Sequence, residues 1–193
     1  MNVFSDDLKF SHTCEDLACW REIYESAFPT MAAMVNHRQD GQHQRAGIDR
    51  SVVLESGKHI TIDEKVRRKN YGDILLEYIA NDKTGAPGWV EKSLLCDYIA
   101  YAVMTTGKAY LLPVPQLQAA WMRYRDEWIP KHRKIVADNR HYKTISLAVP
   151  IDALFGAIGQ CLRVKFTPVI ENSPSGPDAE LESGFNLAQP SLF

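Results

Sequence analysis

Apolar residues recur at three- and four-residue spacing through residues 14–28, where Leu17, Trp20, Tyr24 and Ala27 share one face, so this stretch predicts a helix. Thr13 is its candidate N-cap, Asp16 falls in its first turn and Pro29 ends it. Residues 30–46, containing NHRQDGQHQRA, lose the periodicity and read as a polar surface loop. From Gly47 to Lys65 the period becomes two, which predicts a pair of strands joined by a tight turn. Residues 73–79 (DILLEYI) are largely apolar and predict a third, central strand. Residues 89–104 predict a helix whose broad apolar face carries Leu94, Leu95, Tyr98, Ile99, Ala102 and Val103. A short strand at 108–112 follows, stopped by Pro113. A helix at 116–129 carries Leu117, Ala120, Trp121, Tyr124 and Trp128 and is stopped by Pro130. Residues 131–143 read as a basic connector, 144–149 as a strand and 150–158 as a short turn of helix at a sheet edge.

The 47–65 hairpin carries chemistry as well as pattern. Its first strand contains Asp49 and its second ends Asp63-Glu64-Lys65. Alternation puts Asp63 and Lys65 on one face and Glu64 on the other. Residues directly opposite one another across a hairpin also share a face. A two-residue turn at Ser56-Gly57 sets Asp49 opposite Glu64, on the wrong side. A three-residue loop, Glu55-Ser56-Gly57, sets it opposite Asp63, and that loop calls for a left-handed residue where Gly57 stands. The three-residue loop is therefore expected, with a bulge near Asp49 as the alternative, and either sets Asp49, Asp63 and Lys65 on one face.

Asp49 followed across a hairpin by Asp63-Glu64-Lys65 resembles the PD-(D/E)xK nuclease superfamily, with Ile48-Asp49 in place of the "PD" pair. The order of elements over residues 14–112 is similar too. The resemblance implies a restriction-endonuclease-like α/β fold, a central mixed β-sheet flanked by helices. It implies Asp49 and Asp63, with the backbone carbonyl of Glu64, as ligands of Mg2+ or Mn2+. It implies Lys65 as the group that orients the attacking water and steadies charge in the transition state, and a homodimer as in many relatives. The expected function is metal-dependent hydrolysis of DNA phosphodiester bonds. The alternative is a catalytically inactive protein of the same fold that acts as a DNA-binding or clamp-binding adaptor or inhibitor. Glu22 and Glu25 are candidates for an acid lent by the first helix.

Charge and composition narrow the partners. The chain has 193 residues and a net charge of only −2, so a DNA-binding surface must be a local patch. Arg67, Arg68 and Lys69 form the densest basic cluster and continue the strand of the candidate site, where phosphates would arrive. Gln44 and Arg45, just before Asp49, are candidate DNA-contacting residues, with His37 and His43 weaker candidates in the same segment. The basic stretch 131–143 is either a second patch or a solvated connector. Cys14, Cys19, Cys96 and Cys161 show no CxxC spacing and read as reduced packing thiols of a cytoplasmic protein, with a zinc site at Cys14 and Cys19 as the alternative. No apolar run approaches the ~20 residues of a membrane span, and no leader is recognised.

Composition shifts at 171, so the expected division is a nuclease-like domain over 1–170 and a disordered acidic tail over 171–193. The tail ends in QPSLF, which resembles the pentapeptide that binds the bacterial DNA polymerase sliding clamp. Gln189, Ser191, Leu192 and Phe193 match it, while Pro190 departs. This implies recruitment to a sliding clamp in a bacterial or phage setting.

Overall fold

The structure, a computed structural model, describes residues 18–169. In chain order these form helix α1 (Cys19–Ala27), strand β1 (Met31–Asn36), the short helix α2 (Gly41–Arg45), and strands β2 (Arg50–Leu54), β3 (His59–Arg67), β4 (Asp73–Asn81), β5 (Ala86–Pro87), β6 (Tyr98–Val103) and β7 (Lys108–Pro113). Helix α3 (Val114–Lys131), strands β8 (Arg133–Asp138) and β9 (Lys143–Pro150), helix α4 (Ile151–Ile158) and strand β10 (Leu162–Lys165) complete them. Six strands form a mixed sheet in the order β1-β2-β3-β6-β7-β10, and four form an antiparallel sheet in the order β5-β4-β9-β8. The fold is mixed α and β, a mixed sheet flanked by helices.

Two apolar cores sit on opposite faces of the mixed sheet. On one face α1 lays Trp20, Ile23 and Tyr24 against Val52, Ile60, Ile62, Ala100 and Ala102. On the other, Ile99, Tyr101 and Val103 join Ile74, Leu76, Leu147 and Val149 of the four-stranded sheet with Leu117 and Trp121 of α3. Strand β6 thus alternates between the cores and is buried on both sides.

That double burial explains the largest correction. Residues 89–104 are not a helix: 89–97 form turns and irregular backbone, and Tyr98–Val103 is a strand paired in parallel with β3. A run that is apolar on both faces satisfies helical spacing as well as strand alternation. The tertiary pairing decides, because β-branched and aromatic side chains pack well at the centre of a sheet. Asp97 pins its start. The backbone and hydroxyl of Thr61 donate to Asp97 Oδ2 at 2.8 and 3.0 Å, and Asp97 N–H donates to the Thr61 carbonyl at 2.8 Å.

Other expectations change with it. The third strand, β4, does not extend the hairpin as a meander. It pairs with β9 in the other sheet, and β3 takes β6 as its second neighbour. The polar segment 30–46 is not a loop but holds edge strand β1 and helix α2, whose N-cap Asp40 accepts from the Gln42 and His43 N–H groups. The basic stretch 131–143 contains strand β8, and Pro130 lies inside the last turn of α3 rather than stopping it. Strand β10, antiparallel to β7, had no counterpart among the predicted elements. Helix α1, strands β2, β3, β4, β7 and β9 and helices α3 and α4 lie where the pattern puts them, within a few residues. Thr13, Cys14, the rest of the N-terminal segment and the tail with Gln189, Ser191, Leu192 and Phe193 fall outside the described residues.

Candidate active site

The β2–β3 hairpin sets the geometry. Arg50 stands opposite Ile62 and Val53 opposite His59, and there the paired register ends; Asp49 N–H donates to the Ile62 carbonyl at 2.9 Å, one residue out of that register, so Asp49 and Arg50 both face Ile62 in the manner of a β-bulge. The connection is the three-residue loop Glu55-Ser56-Gly57: Leu54 N–H bonds the Lys58 carbonyl at 2.9 Å, and Gly57 is left-handed at φ 80°. The Asp49 and Asp63 carboxyls are close enough that each acts on the ionisation of the other. Lys65, two residues along the same face, donates from Nζ to Asp63 Oδ1 at 2.5 Å.

Asp49 is held from several sides. Its Oδ2 accepts from the Glu64 N–H at 2.8 Å, its Oδ1 from Gln44 Nε2 at 3.1 Å, and Arg38 Nη2 lies 3.7 Å from Oδ2. Gly47, left-handed at φ 70°, turns the chain from α2 into β2 just before it. The His37 N–H donates to the Asp49 carbonyl at 2.8 Å. His37 and His43 stack with ring centres 4.0 Å apart, and their side chains bond Ser51 and Asp40 at 2.8 Å each. They brace the segment carrying Arg38 and Gln44 rather than meeting the acids. Burial and the neighbouring His43 pull the His37 pKa down.

The two acids divide in their titration. Burial opposes ionisation of Asp49, but the Glu64 N–H, Arg38 and Lys65 together hold its carboxyl below the ordinary value. Burial, with the adjacent Asp49 charge, pushes Asp63 up to about 6 although Lys65 opposes the shift. Burial tends to lower Lys65, yet Asp63, Asp49 and Glu77 together raise it. Two buried carboxyls that meet offer the donors a hard divalent cation prefers, carboxylate oxygens. Asp49 and Asp63 would hold it. Among the described residues no three His, Cys, Asp or Glu side chains converge as a metal-holding group.

Glu64 turns to the opposite face, as alternation requires. Its fully buried carboxylate accepts from Tyr24 Oη at 2.6 Å, Arg50 Nε at 2.6 Å and Arg38 Nη2 at 3.0 Å. Its side chain is therefore engaged beneath α1, and only its backbone remains beside Asp49. The first helix contributes Tyr24 rather than an acid: Glu22 accepts from the Thr167 N–H at 2.8 Å, and Glu25 pairs with Arg21 at the surface.

The flanking cations are less uniform than the sequence suggests. Arg67 pairs with Asp73, reaches Tyr101 Oη at 3.3 Å and stacks over Tyr71, so it is engaged within the fold. Arg68 is half-buried, while Arg45 and Lys69 are exposed. Three residues at or behind the site were not singled out from sequence. Tyr24 and Arg38 reach Glu64 from 40 and 26 residues away, and no local signal marks them. Arg50 was within reach, because the register that pairs it with Ile62 puts it on the face of Glu64. Cys96 abuts Asp63, its thiol pushed by burial up to about 12, and is inert packing as expected.

Comparison with known families, curated proteins and solved structures finds no match to this chain. The chemistry rests on the side chains themselves. Among the described residues no helix is long and apolar enough to cross a membrane.

Proposed function

We propose that this protein is a metal-dependent nuclease of the PD-(D/E)xK type, with a restriction-endonuclease-like core, that hydrolyses DNA phosphodiester bonds. The observation that carries the reading is the convergence of Asp49, Asp63 and Lys65 at one end of the β2–β3 hairpin. Asp49 and Asp63 would hold Mg2+ or Mn2+. Such a cation supplies Lewis-acid polarisation of a phosphoryl oxygen and lowers the pKa of water. Lys65 orients the attacking water and places positive charge where negative charge develops on the phosphorus oxygens. Gln44 and Arg38 fix the Asp49 carboxylate, so the site is organised before substrate arrives. Lys69 and Arg45, exposed on either side, are the available phosphate contacts.

The terminal QPSLF sequence supports delivery of this activity to a bacterial-type sliding clamp through a tethered peptide, which raises local concentration on clamp-bearing DNA. The deciding experiment is cleavage of plasmid, single-stranded and branched DNA in Mg2+ and in Mn2+, with Lys65→Ala as control. Cleavage that requires the cation and disappears in the variant supports the reading. Cleavage unchanged by the substitution, or binding with no turnover on any of these substrates, overturns it.

A further inference from the structure

We infer that Glu77 is a positioning residue for Lys65, receiving the Lys65 ammonium when a divalent cation occupies Asp49 and Asp63. The inference rests on the metal-site reading above. Lys65 Nζ lies 2.5 Å from Asp63 Oδ1. It therefore occupies an oxygen that a cation needs and repels that cation at short range. The ammonium must leave Asp63 for the cation to enter, yet it must stay in the site to act on the water.

The fold provides one destination. Strand β4 belongs to the other sheet and is tied to β3 and β6 through side chains. Asp73 pairs with Arg67, and the Leu75 N–H bonds at 3.3 Å to Tyr101 Oη, the ring of the residue registered with Lys65 on β6. Two residues further along the same face of β4 comes Glu77. Asp73 meets Arg67 and Leu75 meets the residue registered with Lys65, which sets Glu77 near Lys65; the Glu77 charge helps raise the Lys65 pKa, and Lys65 opposes the burial that raises Glu77. The Lys65 side chain, 30% exposed on a flexible four-carbon stem, has room to turn between the two acids.

Glu77 is held ready. The nearby Trp89 N–H favours its ionised carboxylate, and Val90 N–H donates to its carbonyl at 3.1 Å. Gly88 lies so close that a Cβ there would stand 2.2 Å from the Glu77 carbonyl oxygen, so only glycine permits this seating. Lys92 also faces the Glu77 carboxylate and shares it.

A double-mutant cycle on Mn2+ affinity of the full chain, read by paramagnetic resonance of free Mn2+, tests the inference. Glu77→Gln is expected to weaken Mn2+ binding about tenfold with Lys65 present, because the ammonium then stays on Asp63, and only about twofold in the Lys65→Met background. Equal losses in both backgrounds, or no loss in either, overturn the role of Glu77 while leaving the metal site standing. Failure of the unaltered protein to bind Mn2+ overturns the metal-site reading and this inference with it. Should Glu77→Gln not fold, the unaltered protein labelled at lysine Nζ decides. A Lys65 ammonium signal displaced by saturating Mg2+ supports the transfer, and one left unchanged overturns it.

Discussion

Asp49 meets Asp63 beside the β2–β3 hairpin, just beyond its last pair, Arg50 and Ile62, where the Asp49 N–H steps one residue out of register to bond the Ile62 carbonyl; the loop Glu55-Ser56-Gly57 closes the hairpin. A one-residue slip flips a strand's side chains to the other face. Deleting Ser56 is therefore expected to take Asp49 out of the site and abolish Mn2+ binding. Gly57→Ala keeps the loop length and costs about 1 kcal/mol, because φ is 80° while open space surrounds its Cβ direction. Urea unfolding separates the two, since the alanine variant retains Mn2+ affinity.

Asp63→Asn and Lys65→Ala are each expected to lower Mg2+-dependent cleavage by about a thousandfold or more while leaving the fold intact. Single-turnover cleavage alongside circular dichroism checks this. Lys65→Ala is further expected to retain or improve cation affinity, because it clears the ammonium from Asp63, whereas Asp63→Asn abolishes it.

The raised pKa of Asp63 makes cation binding a proton-release event. Apparent Mg2+ affinity is expected to rise about tenfold per pH unit below about 6 and to level off above it. Stability without cation moves the other way. A carboxyl whose folded pKa is raised contributes stability that is present below its unfolded value and lost as pH rises through about 6, here on the order of 3 kcal/mol. Asp49, whose pKa is lowered, opposes this by losing its contribution as pH falls. Denaturation from pH 4 to 7 with chelator present, compared between the unaltered chain and Asp63→Asn, isolates the Asp63 part.

Behind the site, Glu64 is the shared anion of Tyr24, Arg38 and Arg50. Removing it leaves buried guanidinium charge without its partner, so Glu64→Ala is expected to cost about 3–5 kcal/mol. Tyr24→Phe removes one charged hydrogen bond and costs about 1.5–3 kcal/mol. Guanidinium chloride unfolding measures both. The Glu64 loss should also weaken cation binding through Arg38, which links Glu64 to Asp49.

Removal of Gln189, Pro190, Ser191, Leu192 and Phe193 is expected to abolish binding to an immobilised sliding clamp and leave cleavage of naked DNA unchanged. Clamp binding that survives the truncation assigns the contact to the folded domain instead.

The local sequence determined the hairpin, its loop and the shared face of Asp49, Asp63 and Lys65, because alternation and a glycine-dependent turn are set by neighbouring residues. It also determined α1, α3 and half of the described strands, whose apolar spacing admits one reading. It did not determine β6: Tyr98–Val103 is apolar on both faces, so its spacing fits helix and strand alike until the parallel pairing with β3 selects one. It did not assign β4 to the second sheet, since an apolar strand carries no mark of its neighbour. Nor did it reveal Tyr24 and Arg38 on Glu64, or Glu77 across from Lys65. Those meetings arise only when distant segments pack, and a charged residue looks the same in the chain whether its partner is solvent or a buried ion 26 residues away.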